Sequence, residues 1–180
     1  MIENKLWIWK FNRGDKKVLH QIYDRYNDEL VTLAAALLFK RQAAEDIVHN
    51  VFVKLIESSD KLKLKSSFKG YLITCVVNSV RTFNKRNQQQ KTVRLEAAEE
   101  MPSGDRPETL AIFGEESRQL ATALRQLPDE QHEAVMLHTH SKMKFREIAE
   151  MQGVSVNTAK GRYRYGIDRL RSLLDSGVEK

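Results

Sequence analysis

The 180-residue sequence predicts an all-α protein: two small helical domains joined by a flexible acidic linker, the C-terminal domain carrying a helix-turn-helix. Three observations lead there. Apolar residues recur at spacings of three and four almost throughout, and strand-like alternation is absent. From about Gln88 to Glu115 that periodicity gives way to Gln88-Gln-Gln90, Pro102, Ser103, Gly104, Pro107 and a cluster of glutamates. Near the C-terminus, Phe145 to Tyr165 reads as two short helices around a glycine turn. The expected division is therefore a helical domain over 1–87, a linker over 88–115 and a helix-turn-helix domain over 116–180.

Taken in order, a first helix is expected near Leu6 to Phe11, ended by a turn at Asn12-Arg-Gly-Asp15. Leu19, Ile22, Tyr23, Tyr26, Leu30, Leu33, Ala34, Leu37 and Leu38 then recur at helical spacing and predict one long amphipathic helix. Its neighbour, Ala43 to Glu57, turns Ala44, Ile47, Val48, Val51, Phe52 and Leu55 inward, and Asp46, His49, Val53 and Lys54 outward. Ser66 or Ser67 can cap a third long helix whose inward stripe is Phe68, Tyr71, Leu72, Cys75, Val76, Ser79 and Phe83. On that helix Asn78, Arg81 and Lys85 project together, and Asn84, Arg86 and Asn87 extend the polar cluster. Cations and amide donors near aromatic rings suit melted nucleic acid, where phosphates need charge and exposed bases need stacking; a solvated helix end with core aromatics explains the same residues more simply.

The linker's 28 residues reach roughly 90 to 100 Å if fully extended, several times the ~34 Å of one DNA turn, and a short helix over Leu95 to Glu100 shortens that reach. Beyond it, Glu116 to Leu127 and Asp129 to His138 are amphipathic helices separated at Pro128. In the helix-turn-helix, Gly153 can take the left-handed conformation that closes the first helix, and Ser155 stands at the N-cap of the second. At 100° per residue, Ala159, Tyr163, Gly166, Leu170, Leu173 and Leu174 share one face of that second helix. Asn157, Lys160, Gly161, Arg164 and Tyr165 share the other, with Arg162 and Arg169 flanking. An apolar back with a basic front is what a major groove accepts, with Lys160 and Arg164 as the leading donors to base edges or phosphates.

Charge follows the same division. Residues 1–90 hold 16 Lys and Arg against 9 Asp and Glu, a net +7; residues 91–117 hold 3 against 7, a net −4; residues 118–180 hold 11 against 8, a net +3. A positive lobe at each end suits a polyanion touched at two places. The 41% hydrophobic content is enough to build two cores, and no run of eighteen apolar residues or signal-type N-terminus is present, so a cytoplasmic location is expected. Cys75, the single cysteine, falls in an apolar helical pattern and is expected to be a buried structural thiol. Neither His132, His138 and His140 nor Glu45 and Asp46 have the spacing of a metal site or an acid–base pair, so no metal, no cofactor and no catalytic residue is expected.

In their order these segments resemble the extracytoplasmic function (ECF) sigma factors of the sigma-70 family. The resemblance is carried by Phe11-Asn-Arg-Gly-Asp15, Ile22-Tyr-Asp-Arg-Tyr26, Ala44-Glu-Asp-Ile-Val-His-Asn-Val-Phe52, Phe68-Lys-Gly-Tyr-Leu72 followed by Asn78 and Arg81, and Leu127-Pro128 through Leu174. It implies a bacterial transcription initiation factor that binds core RNA polymerase (its beta-prime and beta subunits) and promoter DNA, meets an anti-sigma factor, and has no small-molecule substrate and no enzymatic activity. It further implies polymerase binding by Asp46, His49 and Val53, and minus-10 contacts by Asn78, Arg81, Lys85 and Arg86 as the duplex melts. Minus-35 contacts would come from Ser155, Thr158, Lys160, Arg162 and Arg164. The chain departs from the family's usual residues at His49 for glutamine, Tyr71 for tryptophan, Gly161 for serine and Tyr165 for a basic residue, so the DNA sequence it reads does not follow by analogy.

Overall fold

The structure, a computed structural model, describes residues 2–15, 17–59, 61–64, 67–96 and 115–176. Among them are eight helices and no strand: α1 Ile2–Asn12, α2 Lys17–Leu38, α3 Arg41–Glu57, α4 Phe68–Glu96, α5 Glu115–Arg125, α6 Asp129–Thr139, α7 Phe145–Gln152 and α8 Val156–Asp175. The chain divides into two compact units, Met1–Ala97 and Ala98–Lys180.

In the first unit α2 lies against both α3 and α4, and α1 closes one side through its aromatic residues. Trp7 and Phe11 are four residues apart and so share one face, which meets Tyr26 edge-on at 6.2 Å and the fully buried Phe68 edge-on at 5.2 Å. Asn12 ties the end of α1 to the segment before α4: its amide donates to the Leu64 carbonyl at 2.9 Å and its Oδ1 accepts from the Leu64 N–H at 3.0 Å. Lys63 adds a donation to the Asn12 carbonyl. The reversal from α2 to α3 is made by Phe39 in the left-handed region (φ 55°) and by Lys40.

The six inward residues expected of α3 are all buried. The stripe of α4 differs. Leu72, Ile73, Val76, Val77 and Val80 are buried, whereas Tyr71, Cys75, Ser79 and Phe83 are half-buried at its edge. A helix held between α2 and α3 must bury a broader arc than one stripe, and Ile73, Val77 and Val80 supply the second half of it. Tyr23 of α2 likewise sits at the rim, 39% exposed, with its ring against Phe52 at 4.9 Å. Ser67 takes the capping position before α4, its Oγ accepting from the Gly70 N–H at 3.4 Å. At its other end α4 runs through Gln88 to Glu96, into the segment expected to be mostly irregular. That stretch holds no Gly or Pro and several good helix formers, so nothing local stops the helix. The rest of the expected linker, 97–114, lies outside the described residues.

In the second unit α8 is the central element, with α5, α6 and α7 packed on it. Ala123, Leu127, Val135 and Leu170 form one buried cluster, bordered by Leu124, Tyr163, Ile167, Leu173 and Leu174, and Ala134, Leu137, Ile148, Ala149 and Ala159 are buried as well. α8 lies close against α6 at Gly166: a Cβ there would stand 2.7 Å from Val135 Cγ2 and 3.4 Å from the Gln131 carbonyl. By contrast, a Cβ at Gly161 would meet Tyr165 at 3.9 Å, an ordinary contact.

Gly166→Ala should therefore destabilise the second unit by about 1–3 kcal/mol, while Gly161→Ala should stabilise it by about 0.5–1 kcal/mol through the helix-propensity gain. Urea unfolding of the two variants checks this, and equal effects would mean that α6 and α8 are not in close contact. A second expectation concerns acid. Burial lowers the pKa of His132 from 6.5, against the opposing pull of Asp129 and Glu133. The unfolded ring thus accepts a proton that the folded ring resists, and the second unit should lose stability as pH falls below about 6.5. Unfolding midpoints from pH 8 down to 5 should decline, less steeply in His132→Gln; a flat wild-type profile would contradict the shift.

Candidate nucleic-acid and polymerase interfaces

The helix-turn-helix is built by two local devices. Gly153 adopts φ 65°, so that its N–H reaches the Glu150 carbonyl at 3.3 Å and the Val154 N–H reaches the Ala149 carbonyl at 3.0 Å, closing α7. Two residues later the Ser155 hydroxyl accepts from the Thr158 N–H at 3.0 Å and opens α8. At the start of α7, Glu147 reaches back to the Lys144 N–H at 2.7 Å, the returning half of a capping box.

With α8 seated this way its two faces separate as the wheel predicts. Ala159, Gly166 and Leu170 are buried, and Ser155, Thr158, Lys160 and Arg164 are exposed. Tyr165, 57% exposed, lies beside Arg164, whose guanidinium stands 5.1 Å from the ring centre and 3.4 Å from the hydroxyl. Arg162 differs from the other candidates: it is half-buried and donates to Gln152 Oε1 at 2.8 Å. Behind the helix, His138 stacks on Phe145 at 4.2 Å and meets Tyr163 edge-on at 4.8 Å, with its Nδ1 2.9 Å from the Met143 carbonyl. His132, as noted, is buried in α6, and no group of three metal-ligating side chains occurs among the described residues.

On α4, Asn78, Lys85 and Arg86 are exposed and Arg81 is half-buried, its guanidinium 3.4 Å from Asn78 Oδ1 one turn back. Asn78, Arg81 and Lys85 project from one side of a helix whose opposite side is core, and Arg86 lies about a quarter-turn further round. Tyr71 and Cys75 lie at the border of that core. Burial, with Cys75 adding to it, pushes the Tyr71 phenol up to about 12. The Cys75 thiol is raised by burial as well, with Tyr71 and Lys54 opposing. Cys75 is thus half-buried rather than enclosed, because its face of α4 lies just off the packed arc.

Asp46 and His49 are exposed on α3, at the mouth of a cleft of about 410 Å³ between α2 and α3 that Tyr23, Asn27, Asp28 and Thr32 also line. Val53 is half-buried, not fully outward, and the apolar group that stands out on this face is Ile56, 50% exposed. Residues 46, 49, 53 and 56 follow the three-and-four spacing of one helix face, so the periodicity that picks out Val53 also reaches Ile56. No local signal marks Asn12 or Gln152, whose partners lie far away in sequence or across a turn.

Comparison with known proteins matches these two units separately. Residues 22–90 match Sigma-70 region 2, and residues 117–170 match Sigma-70 region 4. Curated relatives include the ECF RNA polymerase sigma-E factor of Haemophilus influenzae, 23% identical over 96% of this chain and 93% of its own length. The ECF RNA polymerase sigma factor SigK of Mycobacterium tuberculosis is 25% identical over 89% and 88%. The SigW factor of Bacillus subtilis is 23% identical over 93% and 94%. Two solved structures share the fold. CnrH in complex with the cytosolic domain of CnrY has TM-score 0.72 at 20% identity, over 96% of this chain and 97% of that one. The sigma factor RpoE of Bartonella quintana in complex with the anti-sigma factor NepR has TM-score 0.70 at 24% identity, over 87% and 96%. With both diagnostic regions present in order and relatives aligned over nearly their full length, the chain belongs to the sigma-70 family of transcription initiation factors, in its ECF group.

Proposed function

We propose that this chain binds core RNA polymerase, directs it to promoters through minus-10 and minus-35 contacts, and promotes melting of the minus-10 element without catalysing a reaction itself. The observation that carries the proposal is α8: an exposed basic front, Lys160 and Arg164, on a helix whose back is locked into a core and whose N-terminus is capped. Such a helix enters the major groove N-terminus first, so Ser155 and Thr158 face phosphates near its opening amides while Lys160 and Arg164 reach base edges.

Asn78, Arg81, Lys85 and Arg86 on α4 take the minus-10 role. Extruding a base costs a few kcal/mol, least where pairing is weak, so capture of an unstacked base selects sequence while it opens the duplex. Asp46, His49 and Val53, with Ile56 extending the face, form the polymerase contact: an apolar stripe edged by charge is the composition an interface core and rim require. Residues 1–87 and 116–180 act as the two DNA-binding lobes, with 88–115 between them as the connector, and the factor works in the cytoplasm. Its partners include an anti-sigma protein, in keeping with NepR, the anti-sigma partner of the Bartonella RpoE structure.

Sequencing of transcripts started in vitro by core polymerase plus this protein tests the whole reading. Specific starts with no other initiation factor support it, and their absence returns the chain to the class of repressors or activators. Asp46→Arg should weaken association with core polymerase about 10-fold or more, read by competition against the wild-type chain. Unchanged affinity would take α3 out of the interface. Lys160→Ala combined with Arg164→Ala should reduce selection of promoters that depend on an upstream element, by about 1–3 kcal/mol per base-reading contact. Retained selectivity would mean that another face of α8 meets the groove.

A further inference from the structure

Arg162 stands on the recognition helix among groove-facing candidates, yet it is half-buried and turned toward the helix-turn-helix itself. Its Nη1 donates to Gln152 Oε1 at 2.8 Å. The same Gln152 amide donates through Nε2 to Glu133 Oε1 at 3.0 Å and to the Glu130 carbonyl at 3.1 Å. One side-chain amide thus joins three helices: α6 through Glu130 and Glu133, α7 through Gln152 itself, and α8 through Arg162. Its orientation is determined. The acceptors Glu133 and Glu130 lie on one side and a donor-only guanidinium on the other, so a flipped amide would set NH₂ against Arg162 and oxygen against two oxygens.

Glu133 is 8% exposed, and a carboxylate so enclosed requires a donor to hold its charge. Gln152 supplies one such donor and passes the remaining polarity on to Arg162, so that the guanidinium is tied to the last residue of α7. Arg162 is the seventh residue of α8, nearly two turns in, and its attachment opposes rotation of the helix about its axis. That rotation decides where Lys160 and Arg164 point.

We propose that Arg162 is a positioning residue for promoter reading: with Gln152 and Glu133 it forms a brace that sets the angle of α8, and it does not itself hold DNA. The proposal rests on the minus-35 reading given above. It is tested with the full chain assembled on core polymerase, comparing a promoter with an intact upstream element against the same promoter with that element scrambled. Gln152→Ala and Arg162→Ala should each lower the intact-over-scrambled preference about 5- to 10-fold, and the double variant should be no worse than either, because the two act as one unit. The salt dependence of binding should keep its slope, and Arg162→Lys should recover at least half of the lost preference.

Two results overturn the brace. One is Gln152→Ala within 2-fold of wild type while Arg162→Ala is impaired; the other is a fall in slope of about 0.9 in Arg162→Ala, the mark of a lost phosphate contact. A readout without DNA separates this proposal from the promoter reading. The Gln152 side-chain amide protons should exchange slowly in the wild type and faster in Arg162→Ala, whose folding is checked by circular dichroism. If Arg162→Ala does not fold, the comparison is made with Arg162→Lys, which should show intermediate exchange; equal exchange in variant and wild type sinks the brace. A wild type that ignores the upstream element would instead defeat the promoter reading, and the amide exchange would still decide the brace.

Discussion

The close approach of α8 to α6 is the constraint on which the C-terminal unit depends. A side chain at 166 would force its neighbours to shift, since an added carbon would stand 2.7 Å from Val135 Cγ2. That proximity lets the cluster of Ala123, Leu127, Val135 and Leu170 close along one side of α8, while Leu137, Ile148 and Ala159 are buried elsewhere in the same unit. With the back of the helix fixed there, the opposite side is obliged to face solvent, and its residues become a surface of defined direction. The left-handed turn at Gly153 and the cap at Ser155 set where α8 begins, and the contact at Gly166 sets how near it lies. The Gln152 brace opposes the remaining freedom, rotation about the helix axis.

The N-terminal unit solves a different problem, since α4 is held between two helices. A helix with one neighbour buries one stripe, but α4 must satisfy both α2 and α3, and it buries Leu72, Ile73, Val76, Val77 and Val80 across a wide arc. Fully burying such a side chain contributes about 1.5–3 kcal/mol, so the arc outweighs any preference of Tyr71 or Cys75 for the interior. Those two are left at the border, close to the polar side that bears Asn78, Lys85 and Arg86. The same pressure places Phe11 and Phe68 edge to face at the end of α1, where Asn12 completes the closure with its reciprocal bonds to Leu64.

Each unit therefore presents its polar side chains by exclusion. The apolar face is consumed by packing, and the polar residues at complementary helical positions are left pointing outward from a rigid element. Ile56 departs from that pattern, as do Leu6, Trp9, Leu120 and Val156: it is an aliphatic side chain half in solvent on a helix that had buried positions one residue away. Charge differs between the faces, with Asp46 exposed on α3 and basic residues exposed on α4 and α8.

Much of this was legible in the residues alone. Helical periodicity located the described helices because a 3.6-residue repeat is a local property, and it found all six inward positions of α3. Gly153 and Ser155 were legible for the same reason: a left-handed turn and an N-cap are requirements of the backbone within a few residues. Amphipathicity placed Lys160 and Arg164 outward. What tertiary structure alone decided was every feature that depends on how many neighbours a helix has and which distant group stands opposite. The shifted arc of α4, the retreat of Val53 in favour of Ile56, the attachment of Asn12 to Leu64 and the capture of Arg162 by Gln152 all belong to that class. Burial and hydrogen bonding are settled between elements, and a single helix, read along its own sequence, carries the side chains for both outcomes without the partner that chooses between them.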